Sequence, residues 1–128
     1  VTDHTTEGGN RLRFTICIGY VPTHGTTTPH LRAIEAELSK IAGGFTRMDG
    51  VGGWIETAPD GDFTGPVKRE ASTMFIVSVD GAGWQRAREA WTAKIRAAVA
   101  PHARALRCTW VHMECQTVEA MHFRSDAF

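Results

Sequence analysis

The sequence predicts one α+β domain whose elements run β-α-β-β-α-β, with two helices covering one face of an antiparallel sheet. Residues 13–20 alternate apolar and polar, and residues 73–79 are almost continuously apolar or β-branched, as strands are. Two other segments repeat apolar residues at three- and four-residue steps, the mark of one-sided helices. Between them lies a stretch rich in Gly with Asp-Gly pairs, which signal tight turns. At 128 residues the chain suits a single core. Its 42% apolar and 22% charged residues match ordinary globular usage, so neither disorder nor a need for metal or disulfide is indicated.

Residues 1–10 are polar, with no apolar core like that of a secretory signal or membrane span, and are expected to form a mobile tail ahead of a domain at 11–128. The first strand, residues 13–20, puts Phe14, Ile16, Ile18 and Tyr20 on one side and Arg13, Thr15, Cys17 and Gly19 on the other. A loop leads to Thr28 as N-cap and Pro29 as first helical residue. Leu31, Ile34, Leu38 and Ile41 form the helix stripe, which Gly43-Gly44 ends. Short strands are expected at 45–48 and 54–57, with turns at Asp49-Gly50 and Asp60-Gly61. The central strand, residues 73–79, ends at Asp80-Gly81. A second helix presents Trp84, Ala87, Trp91, Ile95 and Ala98 on one stripe and should close at Pro101. In the last strand, residues 107–117, Val111, Met113 and Cys115 face one way, and Cys108, Trp110, His112, Glu114 and Gln116 the other.

Short right-handed connections place both helices on the same sheet face. The economical topology is the split β-α-β, a ferredoxin-like sandwich with strand order 4-1-3-2. Its free face then carries Thr15 and Cys17 beside Trp110, His112 and Glu114. A face that mixes Trp, Met and Cys with polar groups suits another chain or a ligand better than water, so a homo-oligomer is expected.

Charge narrows the partners. With 14 basic and 14 acidic side chains the formal net charge is +0, which removes the global field that draws proteins to phosphate backbones. The sheet also lacks the paired aromatics of a base-stacking platform, so nucleic acid is disfavoured. No apolar stretch has membrane-spanning length. Cys17, Cys108 and Cys115 cannot all pair with one another and form no C-x-x-C motif, which points to free thiols in a reducing, cytoplasmic setting.

Several residues are candidates for chemistry. His112 and Glu114 share one strand face, and a carboxylate beside an imidazole can orient it as a general base; the alternative is an exposed histidine with no catalytic task. Cys17 is a candidate nucleophile, against the usual inertness of a mid-strand thiol. Cys108, His112 and Cys17 are too scattered for a zinc site, so no metal or cofactor is expected. His4-Thr5-Thr6 and His24-Gly25-Thr26 lack the duplicated strand context of a two-histidine phosphoesterase.

The Gly-rich middle offers a different site. Gly43-Gly44-Phe45-Thr46, Gly52-Gly53-Trp54 and Lys68-Arg69-Glu70 bring permissive backbone near an aromatic ring and opposite charges. Gly52, Gly53, Trp54, Glu70, Arg47 and Trp110 are therefore the candidate ligand contacts. The competing account is a helix cap plus a bulged hairpin, with Trp54 in the core and Glu70 paired to Arg47 or Arg69.

The order F-x-I-x-I-G-Y, helix, G-G-F-T, G-G-W, an R-E pair before a central strand, helix and terminal strand resembles small ferredoxin-like proteins of bacteria and their phages that have no assigned activity. The resemblance runs from Phe14 to about Phe123. It implies an accessory role directed at a partner or small ligand, with Trp54 stacking and Glu70 accepting hydrogen bonds. The expected function is thus a non-enzymatic homo-oligomeric module that binds a small molecule or protein. The alternative is a small enzyme with His112 and Glu114, or Cys17, at a subunit boundary.

Overall fold

The computed structural model describes residues 6–127; residues 1–5, including His4, lie outside the described residues. The elements are β1 (Thr6–Tyr20), α1 (Thr27–Ala42), β2 (Thr46–Trp54), β3 (Lys68–Asp80), α2 (Trp84–Ala105) and β4 (His112–Phe123), with a 3-10 turn at Ser125–Ala127. The strands form one antiparallel sheet in the order β2-β3-β1-β4. This is the predicted ferredoxin-like topology, read from its other edge.

Alternation on β1 decides which side is the core. Leu12, Phe14, Ile16, Ile18 and Tyr20 are buried, and they meet Phe75, Val77 and Val79 of β3. Leu31, Ile34 and Leu38 of α1 and Ile95, Val99 and Ala103 of α2 close the same cluster. Both helices therefore lie on one face. Among the described residues nothing of the chain covers the other, where Cys17 pairs in register with Met74 and His112.

Element ends differ from the sequence expectation, each for a physical reason. β1 begins at Thr6, so residues 6–10, expected in the tail, instead pair with Glu119–Phe123 of β4. β2 is one strand, not two: it pairs continuously from Thr46 opposite Ile76 to Trp54 opposite Lys68. Asp49-Gly50 makes no turn because the Asp49 carboxylate is held by Arg47 and Thr73 and Gly50 has no positive φ. Asp60-Gly61 does turn, with Gly61 at φ 87°. Gly43 caps α1 at φ 81°, its N–H donating to the Ser39 carbonyl. The N-cap is Thr26 rather than Thr28.

α2 does not stop at Pro101. That residue is exposed, while Ile95, Val99 and Ala103 continue the buried stripe at four-residue steps past it. Burial on both sides outweighs the lost N–H bond of an interior proline, about 3 kcal/mol or more. The buried face of α2 is accordingly rotated from the predicted one. Trp84 is exposed, under Arg88 at 5.6 Å from its ring centroid, and Trp91 is half-buried with Lys94 4.8 Å above it. Because α2 runs longer, the last strand starts later, at His112, and Cys108 falls in the preceding loop. There it packs into the core instead of standing on a strand, and its thiol donates to the Trp110 carbonyl.

A polar relay runs from buried Tyr20 and Thr73 out to the surface. Tyr20 Oη lies 2.7 Å from Thr73 Oγ1, which donates to Asp49 Oδ1 at 2.8 Å. Arg47 forks onto the same carboxylate at 3.0 and 3.1 Å and reaches Glu35 of α1 at 2.8 Å. The relay ties β1, β3, β2 and α1 together. The two helices are joined by His30 and His102, whose Nδ1 atoms are 2.9 Å apart.

Candidate functional site

The free face of the sheet dips into a groove of about 510 Å³ at the end where β2 finishes and β3 begins. The register builds its floor. Gly52 stands opposite Glu70, and Gly19 opposite Ser72, so two positions without side chains adjoin a carboxylate and a hydroxyl. Glu70 fills the space that Gly19 leaves: a Cβ added at Gly19 would lie 2.6 Å from Glu70 Cδ. The glycine is therefore needed for close approach of a side chain and not for backbone freedom.

Trp54 and Trp110 also line this groove, 44% and 89% exposed. Large aromatic faces left this open by a small domain are ready to stack on a planar or cationic partner. The Glu70 carboxylate makes no hydrogen bond or ion pair among the described residues. Its charge is nevertheless felt inside, where it helps raise the pKa of the Cys108 thiol after the larger effect of burial.

A second cavity, of about 580 Å³, lies between the start of α1 and the end of α2, lined by Tyr20, Thr23, Thr26, Thr27 and Leu106. Glu70 and Arg107 line both cavities, so these form neighbouring parts of one trench.

Of the candidate ligand contacts, Gly52, Gly53, Trp54, Glu70 and Trp110 line this one groove, together with Cys17, Cys108 and His112. Arg47 is not with them. Its register partner is Phe75, on the helix side of the sheet, and its guanidinium is taken up by Asp49 and Glu35. Neither is it the partner of Glu70. Sequence reasoning overlooked Gly19 and Arg107: the first looked like one more small residue in an alternating strand, and the second was read as the first residue of the last strand, whereas it follows the C-cap of α2.

Among candidates for chemistry, His112 Nε2 and Glu114 Oε1 are 3.5 Å apart, both side chains about two-thirds exposed at 67% and 65%. A contact this long and wet orients the ring only loosely. Burial, and then the charge of Glu114, push the Cys17 thiol up, which keeps it protonated and a poor nucleophile. Among the described residues no group of three or more His, Cys, Asp or Glu could hold a metal ion, and all three cysteines are free. No helix of the described residues is long and apolar enough to cross a membrane.

No protein-family model matches the chain, and no curated protein sequence matches it. Solved structures do. A Bacillus cereus protein related to NIF3 superposes with a TM-score of 0.56 at 9% identity, over 94% of this chain but only 30% of its own length. A phage SAM lyase superposes in its apo state with a TM-score of 0.52 at 16% identity, covering 92% of this chain and 91% of the other. A phage SAM lyase in complex with S-methyl-5'-thioadenosine gives 0.56 at 15% identity, covering 89% and 90%. At these identities the likeness is one of fold, a small α+β domain. The chain spans about a third of the NIF3-related protein and nearly all of the lyase.

Proposed function

We propose that this chain is a homo-oligomeric protein of the reducing cytoplasm that binds a small adenosyl sulfonium compound, S-adenosylmethionine, in the groove between Trp54, Glu70 and Trp110. The observation that carries this reading is the Glu70 carboxylate, unpartnered in a groove flanked by two exposed indoles. An adenine ring has the flat face that Trp stacks, and a sulfonium with an ammonium supplies the positive charge that a carboxylate and indole faces attract. The nearly end-to-end likeness to a phage SAM lyase, including its S-methyl-5'-thioadenosine complex, supports the same ligand class. Oligomerisation is supported by the free sheet face, where exposed Met48, Trp54 and Trp110 would be shielded by a second copy. The free thiols fit a reducing compartment.

Titration calorimetry with S-adenosylmethionine and with S-methyl-5'-thioadenosine tests the ligand. Binding of both is expected, with Trp54→Ala weakening each by about tenfold or more, the worth of a lost stacking face. Absence of binding by wild-type protein at millimolar ligand overturns the reading. Light scattering after size exclusion should give a mass of two or more chains; a monomer at tens of micromolar overturns the oligomer.

A second reading, turnover, is supported by the likeness to a phage SAM lyase along nearly the whole chain, and it depends neither on the groove's thiols, which burial keeps protonated, nor on its exposed histidine. One cleavage of S-adenosylmethionine needs neither. The substrate's own carboxylate oxygen attacks its γ-carbon, the sulfur–carbon bond breaks with its electron pair going to sulfur, and the products are S-methyl-5'-thioadenosine and a five-membered lactone. The protein's task is then to hold the chain folded for attack, a matter of proximity and orientation. Chromatography of a mixture incubated with substrate decides this: appearance of the thioether nucleoside marks an enzyme, and intact ligand after hours marks a binding module.

A further inference from the structure

Glu70 is one charged pole of the trench, and the opposite pole is Arg107. We infer that Arg107 binds the carboxylate of a ligand's amino-acid end while Glu70 takes its ammonium, so that the trench recognises a zwitterion. The inference rests on the ligand assignment above and names the residue that would make it specific.

Four observations converge. Arg107 and Glu70 line the same two cavities. Although opposite in charge, they form no ion pair with each other, and among the described residues neither side chain has any hydrogen-bonded or ionic partner. Arg107 is also the one non-glycine residue with positive φ among those described, at 59°. It holds the position just past the end of α2, where the Arg107 N–H donates to the Arg104 carbonyl at 2.9 Å and the Cys108 N–H to the Ala103 carbonyl at 2.9 Å. This doubly bonded helix end strongly favours glycine at the left-handed position. An arginine there is strained, and among the described residues no hydrogen bond or ion pair of its guanidinium offsets the strain. Such outliers collect at ligand sites.

The chemistry fits the placement. A guanidinium presents paired N–H donors at the spacing of a carboxylate's two oxygens, whereas a lysine offers only a point charge. On the facing wall, the first turn of α1 carries no acidic side chain to repel an anion. Among the described residues Glu70 is the single acidic residue lining either cavity.

The test uses Arg107→Gly, which removes the guanidinium and suits the backbone, and Arg107→Asn, which is also tolerated in the left-handed region. Each is titrated with S-adenosylmethionine and with S-methyl-5'-thioadenosine, which lacks the amino-acid end. Both variants should melt no lower than wild type, lose about tenfold or more in affinity for S-adenosylmethionine, and bind the thioether nucleoside as before. Unchanged affinity for S-adenosylmethionine, or an equal loss for both ligands, overturns the role of Arg107 while leaving the ligand reading intact. Wild-type protein that binds neither compound overturns the ligand reading, and this inference falls with it.

Discussion

The carboxylate of Glu70 occupies the place a side chain at Gly19 would take, with 2.6 Å between Glu70 Cδ and a Cβ built on the glycine. The two residues are on adjacent strands, and the missing methyl group on one sets the position of the charge on the other. This makes Gly19 a positioning residue for the groove.

Gly19→Ala should therefore move Glu70 without unfolding the sheet. The obstructed atoms are the far end of a flexible side chain, and alanine in a strand interior is otherwise preferred over glycine by roughly 0.5–1 kcal/mol. The expected result is a melting temperature near that of wild type with affinity for S-adenosylmethionine reduced several-fold. Calorimetry and thermal melts on the same sample check both halves.

The relay through Thr73 should be felt as stability. Thr73 is fully buried, and Thr73→Val leaves Tyr20 Oη and Asp49 each short of a partner. A cost of about 1–3 kcal/mol is expected. Urea unfolding measures it, and Tyr20→Phe combined with Thr73→Val should cost less than the two changes summed.

The same relay gives the protein an acid limb. Hydrogen bonds from Arg47, and then from Thr73, hold the Asp49 carboxyl below its ordinary value. A depressed folded-state pKa means that the unfolded chain binds the proton more readily. This contribution is therefore complete above the ordinary aspartate range, near pH 4, and is lost as pH falls through the depressed value. Because the Asp49 side chain is 57% exposed, the effect should be modest. Stability measured from pH 6 down to pH 2 should fall less steeply in Asp49→Asn than in wild type.

His30 and His102 clasp the helices through a bond in which one Nδ1 must donate and the other accept. Replacing either with Ala should destabilise the protein by about 1 kcal/mol, and the double replacement by less than the sum. A double-mutant cycle by chemical denaturation gives the coupling directly; additive losses would show that the clasp contributes nothing of its own.

All three thiols should react slowly. Burial is the first cause raising Cys17, Cys108 and Cys115, so little thiolate exists at pH 7.5. Iodoacetamide labelling followed by mass spectrometry should run slower at each than in the urea-unfolded chain. Cys17→Ser should leave ligand affinity and any turnover unchanged.

Much of the architecture was legible in local pattern. The alternation of Phe14, Ile16, Ile18 and Tyr20 and the stripe of Leu31, Ile34 and Leu38 each allow one buried side, and two such helices find room only on a common face. Gly52, Gly53, Trp54 and Glu70 could be picked out because glycines beside an aromatic ring and a carboxylate are poor core material. The misplaced boundaries share a cause. Asp49-Gly50 and Pro101 are strong local signals for a turn and a stop, and each was overruled by distant partners: Arg47 and Thr73 for the first, the buried run of Val99 and Ala103 for the second.

What the sequence alone determined is the element order and the inward sides of β1, α1 and β4, because side-chain period is a local property of the chain. Only the tertiary structure decided that Arg47 turns to the helix side, that Gly19 makes room for Glu70, and that Arg107 stands at the same trench in a left-handed conformation. Those relations depend on strand register and on where a helix ends, which are settled by contacts between residues far apart in the chain.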